Sequence, residues 1–321
     1  MDFGQHMEQG QMKPQDKNRA GSWWLACMRY SGKHWFYAAF LLLSLLTILV
    51  LFIQSLFHLV SDGVGLAMQY AVAGGLAGFA GTALGAVPAL VLKRLPAYVE
   101  DTMLGFAAGM MMSASAFSLI LPGLDAGASM TGNKVYGAGI VVLGMALGVV
   151  LMLSLDKFTP HEHETIGSFG PGNDRFNKVW LFVFAISLHN LPEGMAIGVG
   201  FSHADLAIGL PLTIAIVLQD IPEGLAVALA LRSAGVSRLK AVLIAGASGL
   251  FEPLGSLLGI GLSSGLALSY PIGLGFAAGA MLFVVSHEVI PETHRNGHQT
   301  PATVGLMAGF ALMMVLDTTL G

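Results

Sequence analysis

The segments His189-Asn190-Leu191-Pro192-Glu193-Gly194 and Gln219-Asp220-Ile221-Pro222-Glu223-Gly224 each set metal-ligand residue types and a proline inside a long apolar stretch. On a helix, His189 and Glu193 are four residues apart and share one face, and Gln219 and Glu223 repeat that spacing. Asp220 lies three residues before Glu223, and Asn190 holds the equivalent place in the first copy. A further acid, Glu252, interrupts another apolar run in Phe251-Glu252-Pro253. Imidazole, carboxylate and amide ligands without thiolate suit zinc and other first-row divalent metals better than copper(I). Glu223, with two oxygens, is the natural bridge between two ions. Met111, within Met110-Met111-Met112, is a candidate soft ligand, although ordinary helix packing is the simpler account of it.

Charge sharpens this reading. Glu193, Asp220, Glu223 and Glu252 lie in apolar spans whose middles hold no Lys or Arg. Unpaired acids at that depth are costly. Protonation would relieve the cost, and so would two bound divalent cations. Pro192 and Pro222 cannot donate to the carbonyls of Leu188 and Leu218, so both helices bend and free carbonyls beside the ligands.

The elements that position these residues are membrane helices. The chain of 321 residues is 55% hydrophobic and 11% charged, with mean hydropathy +0.72. Soluble domains carry about 25% charged residues, so the fold class is an all-α polytopic protein in a lipid bilayer. Scattered basic residues give nucleic-acid binding no support. One cysteine, Cys27, excludes an intrachain disulfide and a thiolate cage. Apolar periodicity predicts nine spans near 35–59, 65–92, 101–121, 136–155, 179–201, 205–231, 239–262, 268–290 and 302–320. Residues 1–34 form a polar N-terminal segment, and 156–178 a long loop. With the N-terminus cytoplasmic, fourteen of the fifteen Lys and Arg lie inside and only Lys134 lies outside. This predicts an extracytoplasmic C-terminus.

An internal repeat is visible. Leu104-Gly105-Phe106-Ala107-Ala108-Gly109 recurs as Leu274-Gly275-Phe276-Ala277-Ala278-Gly279, an offset of 170 that also aligns Leu84-Gly85 with Leu254-Gly255. Five helices separate the partners, so the repeats are inverted. The bundle reads as repeat one (65–155), a central pair (179–231) and repeat two (239–321), with 35–59 as an extra helix. Inverted repeats place transporter sites near the midplane. At 1.5 Å rise per residue, the ligand candidates lie within roughly 8 Å of that plane.

Other polar residues mark a path. Asp125 and Asp317 stand near the outer face, His287 and Glu288 near the inner end of the eighth span, and Glu292 and His294 beyond. His161-Glu162-His163-Glu164 in the inner loop reads equally as a weak metal-binding tract and as a solvated polar loop. His298 carries no spacing that singles it out.

The paired motifs resemble the signature of the ZIP family of metal transporters (Zrt- and Irt-like proteins), prokaryotic branch, over residues 65 to the end. That resemblance implies an eight-helix inverted-repeat bundle carrying Zn2+, and in some members Cd2+, Fe2+ or Mn2+, into the cytoplasm across the inner membrane. It implies a binuclear centre of His189, Asn190, Glu193, Gln219, Asp220, Glu223 and Glu252, an elevator-like movement, and a homodimer. Two other classes compete. An intramembrane zinc hydrolase needs a His-rich triad with an open position, but His-Glu-x-x-His is absent. A channel needs a ring of acids, and the repeat with its proline-broken helices favours a carrier.

Overall fold

The computed structural model describes residues 30–61, 65–92, 94–158, 161–163, 167–169, 178–263, 268–294 and 296–320. In hydrocarbon every backbone N–H and C=O must be bonded within the segment, so apolar runs rich in Leu, Ala and Gly form helices. The helical rods are α1 Trp35–Ser61, α2 Leu66–Leu90, α3 Ala97–Thr131, α4 Lys134–Phe158, α5 Lys178–Gly200, α6 Leu206–Ser233, α7 Arg238–Ser263, α8 Ser269–His294 and α9 Gln299–Leu320. Seven of them, α2 to α4 and α6 to α9, are long and apolar enough to cross a membrane among the described residues. A helical turn beginning at Tyr30 precedes α1.

The loop expected over 156–178 is partly ordered. Its first residues complete α4, and β1 (His161–His163) pairs antiparallel with β2 (Gly167–Phe169). The span expected to run unbroken over 239–262 is interrupted after Ser248, and a second helical stretch begins at Phe251. Pro253 has no N–H for the carbonyl of Gly249, which instead accepts from Glu252 N at 3.0 Å. Glu252 therefore sits in the first turn of a half-helix.

Two rods contain a wider, π-helical turn: Ser115–Ile120 in α3 and Val285–Val289 in α8, each followed closely by a proline, Pro122 or Pro291. A π turn inserts one residue and shifts the register of the face beyond it. Ser118 and Glu288 lie in these turns, 170 residues apart.

Glycines set the tightest contacts. A Cβ on Gly85 would fall within 3 Å of the Ile221 carbonyl, and one on Gly255 would do the same at Leu191. Gly224 meets Thr82 O, and Gly194 meets Glu252 O, in the same way. On the other side, Gly105 and Gly109 of α3 abut Ala302 and Leu306 of α9, while Gly275 and Gly279 of α8 abut Val141 and Met145 of α4. These backbone-to-backbone approaches of described residues sort the helices into two sets, α2 with α5, α6 and α7, and α3 with α4, α8 and α9. Among the described residues, contact between the sets, chiefly of α6 with α3 and of α5 with α8, has no glycine approach to backbone inside 3 Å. α1 lies outside both and packs on α4 and the second half of α7.

Side chains finish the frame. The Arg232 guanidinium at the end of α6 donates to the carbonyls of Ala89 and Leu92, capping the C-terminal end of α2. Asp101, buried in the first turns of α3, accepts from Asn296 Nδ2 at 3.0 Å and pairs with His298 Nδ1 at 2.8 Å. This fastens the α8–α9 connection. At the start of α1, the Tyr30 ring meets Phe158 edge-on at 5.6 Å, and Lys157 Nζ lies 4.9 Å from the Tyr37 ring centre. Burial, with the charge of Asp156 close by, pushes the Tyr30 phenol above its usual range.

Because a Cβ at Gly109 would collide with the carbonyl of Leu306, Gly109→Val is expected to destabilise the fold by about 1–3 kcal/mol. Thermal unfolding in detergent, monitored by circular dichroism, checks this as a lowered Tm.

Candidate metal centre

α5 carries His189, Asn190 and Glu193, α6 carries Gln219, Asp220 and Glu223, and the second half of α7 carries Glu252. Gly194 and Gly255 let α5 and α7 touch backbone to backbone, and Gly224 does so for α6 against α2. All three ligand-bearing helices are thereby drawn to one locus. Carboxylate oxygens of Glu193, Asp220 and Glu223 lie within 4.8 Å of one another. Glu252 joins them from α7: the point where a Cβ of Gly78 would stand touches Glu252 Oε2 and lies 3.4 Å from Asp220 Oδ2.

The hydrogen bonds satisfy only part of this cluster. Gln219 Nε2 donates to Glu193 Oε1 at 2.6 Å, and Thr82 Oγ1 donates to Glu252 Oε1 at 2.8 Å. His189 Nε2 is 2.7 Å from Glu288 Oε2, which reaches across from α8. Glu193 Oε2, Gln219 Oε1, Asp220 Oδ2, Glu223 Oε1 and Glu252 Oε2 are shielded from solvent and accept from no protein donor. Asn190, Glu193, Gln219, Asp220 and Glu252 are 0–2% exposed, while Glu223 is more open.

One unmatched buried polar atom costs about 1–3 kcal/mol, and more when charged. Five acceptor oxygens in one locus therefore call for partners from outside the protein's own donors, either protons or bound cations. Neither α5 nor α6 has a Lys or Arg between Lys178 and Arg232. Hard carboxylate and amide oxygens with one imidazole are the donor set of a divalent cation bound reversibly.

The remaining expected residues fall in different places. Met111 is buried in the apolar cluster that includes Ala196, Ile216 and Met281. Glu288, expected near the inner end of its span, lies in the π turn toward that end of α8, and its Oε2 is 2.7 Å from His189 Nε2. His287 stacks on Phe283 with ring centres 4.9 Å apart, and its Nε2 lies 3.9 Å from Asp156 Oδ1. Asp317 accepts from Ser118 Oγ at 2.6 Å, joining α9 to α3. Asp125 and Glu292 are exposed. The backbones of His161 and His163 lie on β1, and their side chains fall outside the described residues.

Sequence reasoning missed Thr82 and the Asp101–Asn296–His298 group. Thr82 had a signal, since it stands 170 residues before Glu252 in the repeat register. The Asp101 group had none, because its partners come from a connection with no motif.

Residues 160–317 match the family described as ZIP Zinc transporter. Zinc transporter ZIPB of Bordetella bronchiseptica is 63% identical over 252 residues, which cover 78% of this chain and 82% of that protein. Zinc transporter GufA of Myxococcus xanthus is 42% identical over 250 residues, 78% of this chain and 98% of that protein. Zinc transporter ZIP11 of Homo sapiens is 30% identical over an aligned length of 324, covering 75% of this chain and 94% of the human protein. The chain belongs to the ZIP family of zinc transporters. It is accordingly a multi-pass membrane transport protein and not an enzyme.

A ligand that binds only the folded state raises Tm. Zinc is expected to raise the Tm of the purified protein in a concentration-dependent way. The shift should vanish in Glu223→Ala and shrink as pH falls, because protons compete for carboxylate and imidazole ligands.

Proposed function

We propose that this protein carries Zn2+ into the cytoplasm through a binuclear site formed by His189, Asn190, Glu193, Gln219, Asp220, Glu223 and Glu252. Cd2+, Fe2+ and Mn2+ are further substrates of the same donor set. The observation that carries the reading is the set of five buried acceptor oxygens, without donors, at the meeting of α5, α6 and α7. Relatives named zinc transporters support zinc as the substrate.

The site's chemistry follows from its ligands. Carboxylates replace the ion's water shell and cancel its charge, so most of the Born penalty of crossing the apolar layer is offset. Glu223, the more open acid, bridges two ions. Met111 contributes as a soft neighbour from α3. Imidazole and oxygen ligands release zinc faster than a thiolate cage would, which suits turnover. Asp125, or Asp317 beside Ser118, collects ions at the outer end. Glu288, His287 and Glu292, and then His161 and His163 on the hairpin, receive them on the inner side.

Access alternates by an elevator-like slide of α2, α5, α6 and α7 against α3, α4, α8 and α9. Supporting this division, the close backbone contacts fall within each set and not between them. The two sets derive from an inverted repeat. Its support is the equivalence, at the offset of 170, of the Gly85 and Gly255 contacts and of the two π turns. The protein sits in the inner membrane with its N-terminus cytoplasmic and its C-terminus outside, and it assembles as a homodimer. Residues 35–59 form a helix additional to the eight-helix transporter domain of 65–321.

Zinc flux into proteoliposomes, with and without an imposed pH gradient, tests the proposal. Saturable uptake is expected, abolished by His189→Ala and by Glu223→Ala and reduced less by Glu252→Ala. Full flux in Glu223→Ala would sink the site assignment, and flux that does not saturate would make the protein a channel.

A further inference from the structure

Thr82 and Gly78 stand one turn apart on α2, outside both proline motifs. The Thr82 hydroxyl has one proton to donate. It gives it to Glu252 Oε1 at 2.8 Å, while its local alternative, Gly78 O, is at the limit of bonding distance, 3.5 Å. Both Thr82 and Glu252 are buried, with relative exposures of 2% and 0%. The second oxygen, Oε2, lies over Gly78, where any Cβ would overlap it. The same point is 3.4 Å from Asp220 Oδ2, so the two donorless oxygens converge over this glycine. Gly249 closes the far side, since a Cβ there would lie 2.9 Å from Thr82 Cβ and 3.3 Å from Glu252 Oε1. The carboxylate is seated in a socket with one oxygen tied and the other presented.

We propose that Thr82 is a positioning residue of the substrate site: by engaging Oε1 it makes Glu252 a one-oxygen ligand whose Oε2 meets a divalent cation together with Asp220 Oδ2. This rests on the metal-site reading above and extends it to a residue that touches no ion. Gly78 completes the device by leaving room for Oε2. Outer-shell hydrogen bonds of this kind fix a carboxylate's rotamer before metal arrives, so less order must be imposed on binding.

Equilibrium dialysis of zinc against the purified, metal-stripped full chain tests this. Thr82→Val keeps the shape and removes the hydroxyl, while Thr82→Ser keeps the hydroxyl. In Thr82→Val, affinity at one of two ions is expected to fall by roughly 10-fold or more, with the other ion unchanged and with recovery in Thr82→Ser. In a Glu252→Ala background, Thr82→Val is expected to add nothing, because the hydroxyl acts only through that carboxylate. A Thr82→Val titration that overlays the unmodified protein, or a full additive loss in the Glu252→Ala background, overturns the proposal. Should Thr82→Val not fold, Thr82→Ala against Thr82→Ser makes the same comparison. Zinc binding unchanged by Glu223→Ala overturns the parent site reading and this one with it, and the same titrations tell that failure apart.

Discussion

Four carboxylates held together away from water are the constraint on which this structure depends. Glu193, Asp220 and Glu223 approach within 4.8 Å, and Glu252 meets Asp220 across Gly78. Left alone, such a group would repel itself and open the bundle. The chain supplies only partial relief from within: an amide from Gln219, a hydroxyl from Thr82, and an imidazole facing Glu288. The amide and the hydroxyl each help one oxygen and leave the second oxygen of Glu193 and of Glu252 without a donor. In the proposed carrier, incomplete satisfaction is what would let a cation be held and then given up. A fully bonded cluster would be a structural core, and an empty pocket of alanines would attract no ion.

Bringing those acids together requires helices to come closer than side chains permit. That requirement explains why many of the 42 glycines face carbonyls on neighbouring helices. Lipid provides no hydrophobic drive between helices, so close backbone contact, with its dispersion and weak hydrogen bonds, supplies the cohesion. The proline of each motif adds the bend and the free carbonyls. Arg232 and the Asp101–His298 pair then fix helix ends on the side where the connections are polar.

Much of this was legible in the sequence. Hydropathy located most helix ends to within a few residues, because an apolar run long enough to span is a local property of the chain, but it ended the third span at 121 where α3 continues to Thr131. Long-range register was not legible in the same way. The spacing of Glu288 within its span does not announce the contact its side chain makes with His189 from the π turn over Val285–Val289. The break after Ser248 was hidden by an unbroken apolar composition, and only Pro253 hinted at it. Asp101 meets Asn296 and His298 across nearly 200 residues, and nothing local to any of them encodes that meeting. Thr82 could have been found by extending the Leu84-Gly85 alignment two residues upstream, where the partner of a hydroxyl is an acid.

The sorting of glycine contacts into two sets has a mechanical consequence. Backbone pressed on backbone has no rotamers to change, so each set of four helices is inextensible at its contacts. Between the sets, contact passes through side chains such as Met111 and through the His189–Glu288 pair, which can shift by rotation about single bonds. In elastic terms the protein is two stiff plates bonded by a compliant layer. Strain applied anywhere is expressed at that layer, and the layer runs beside the ligands.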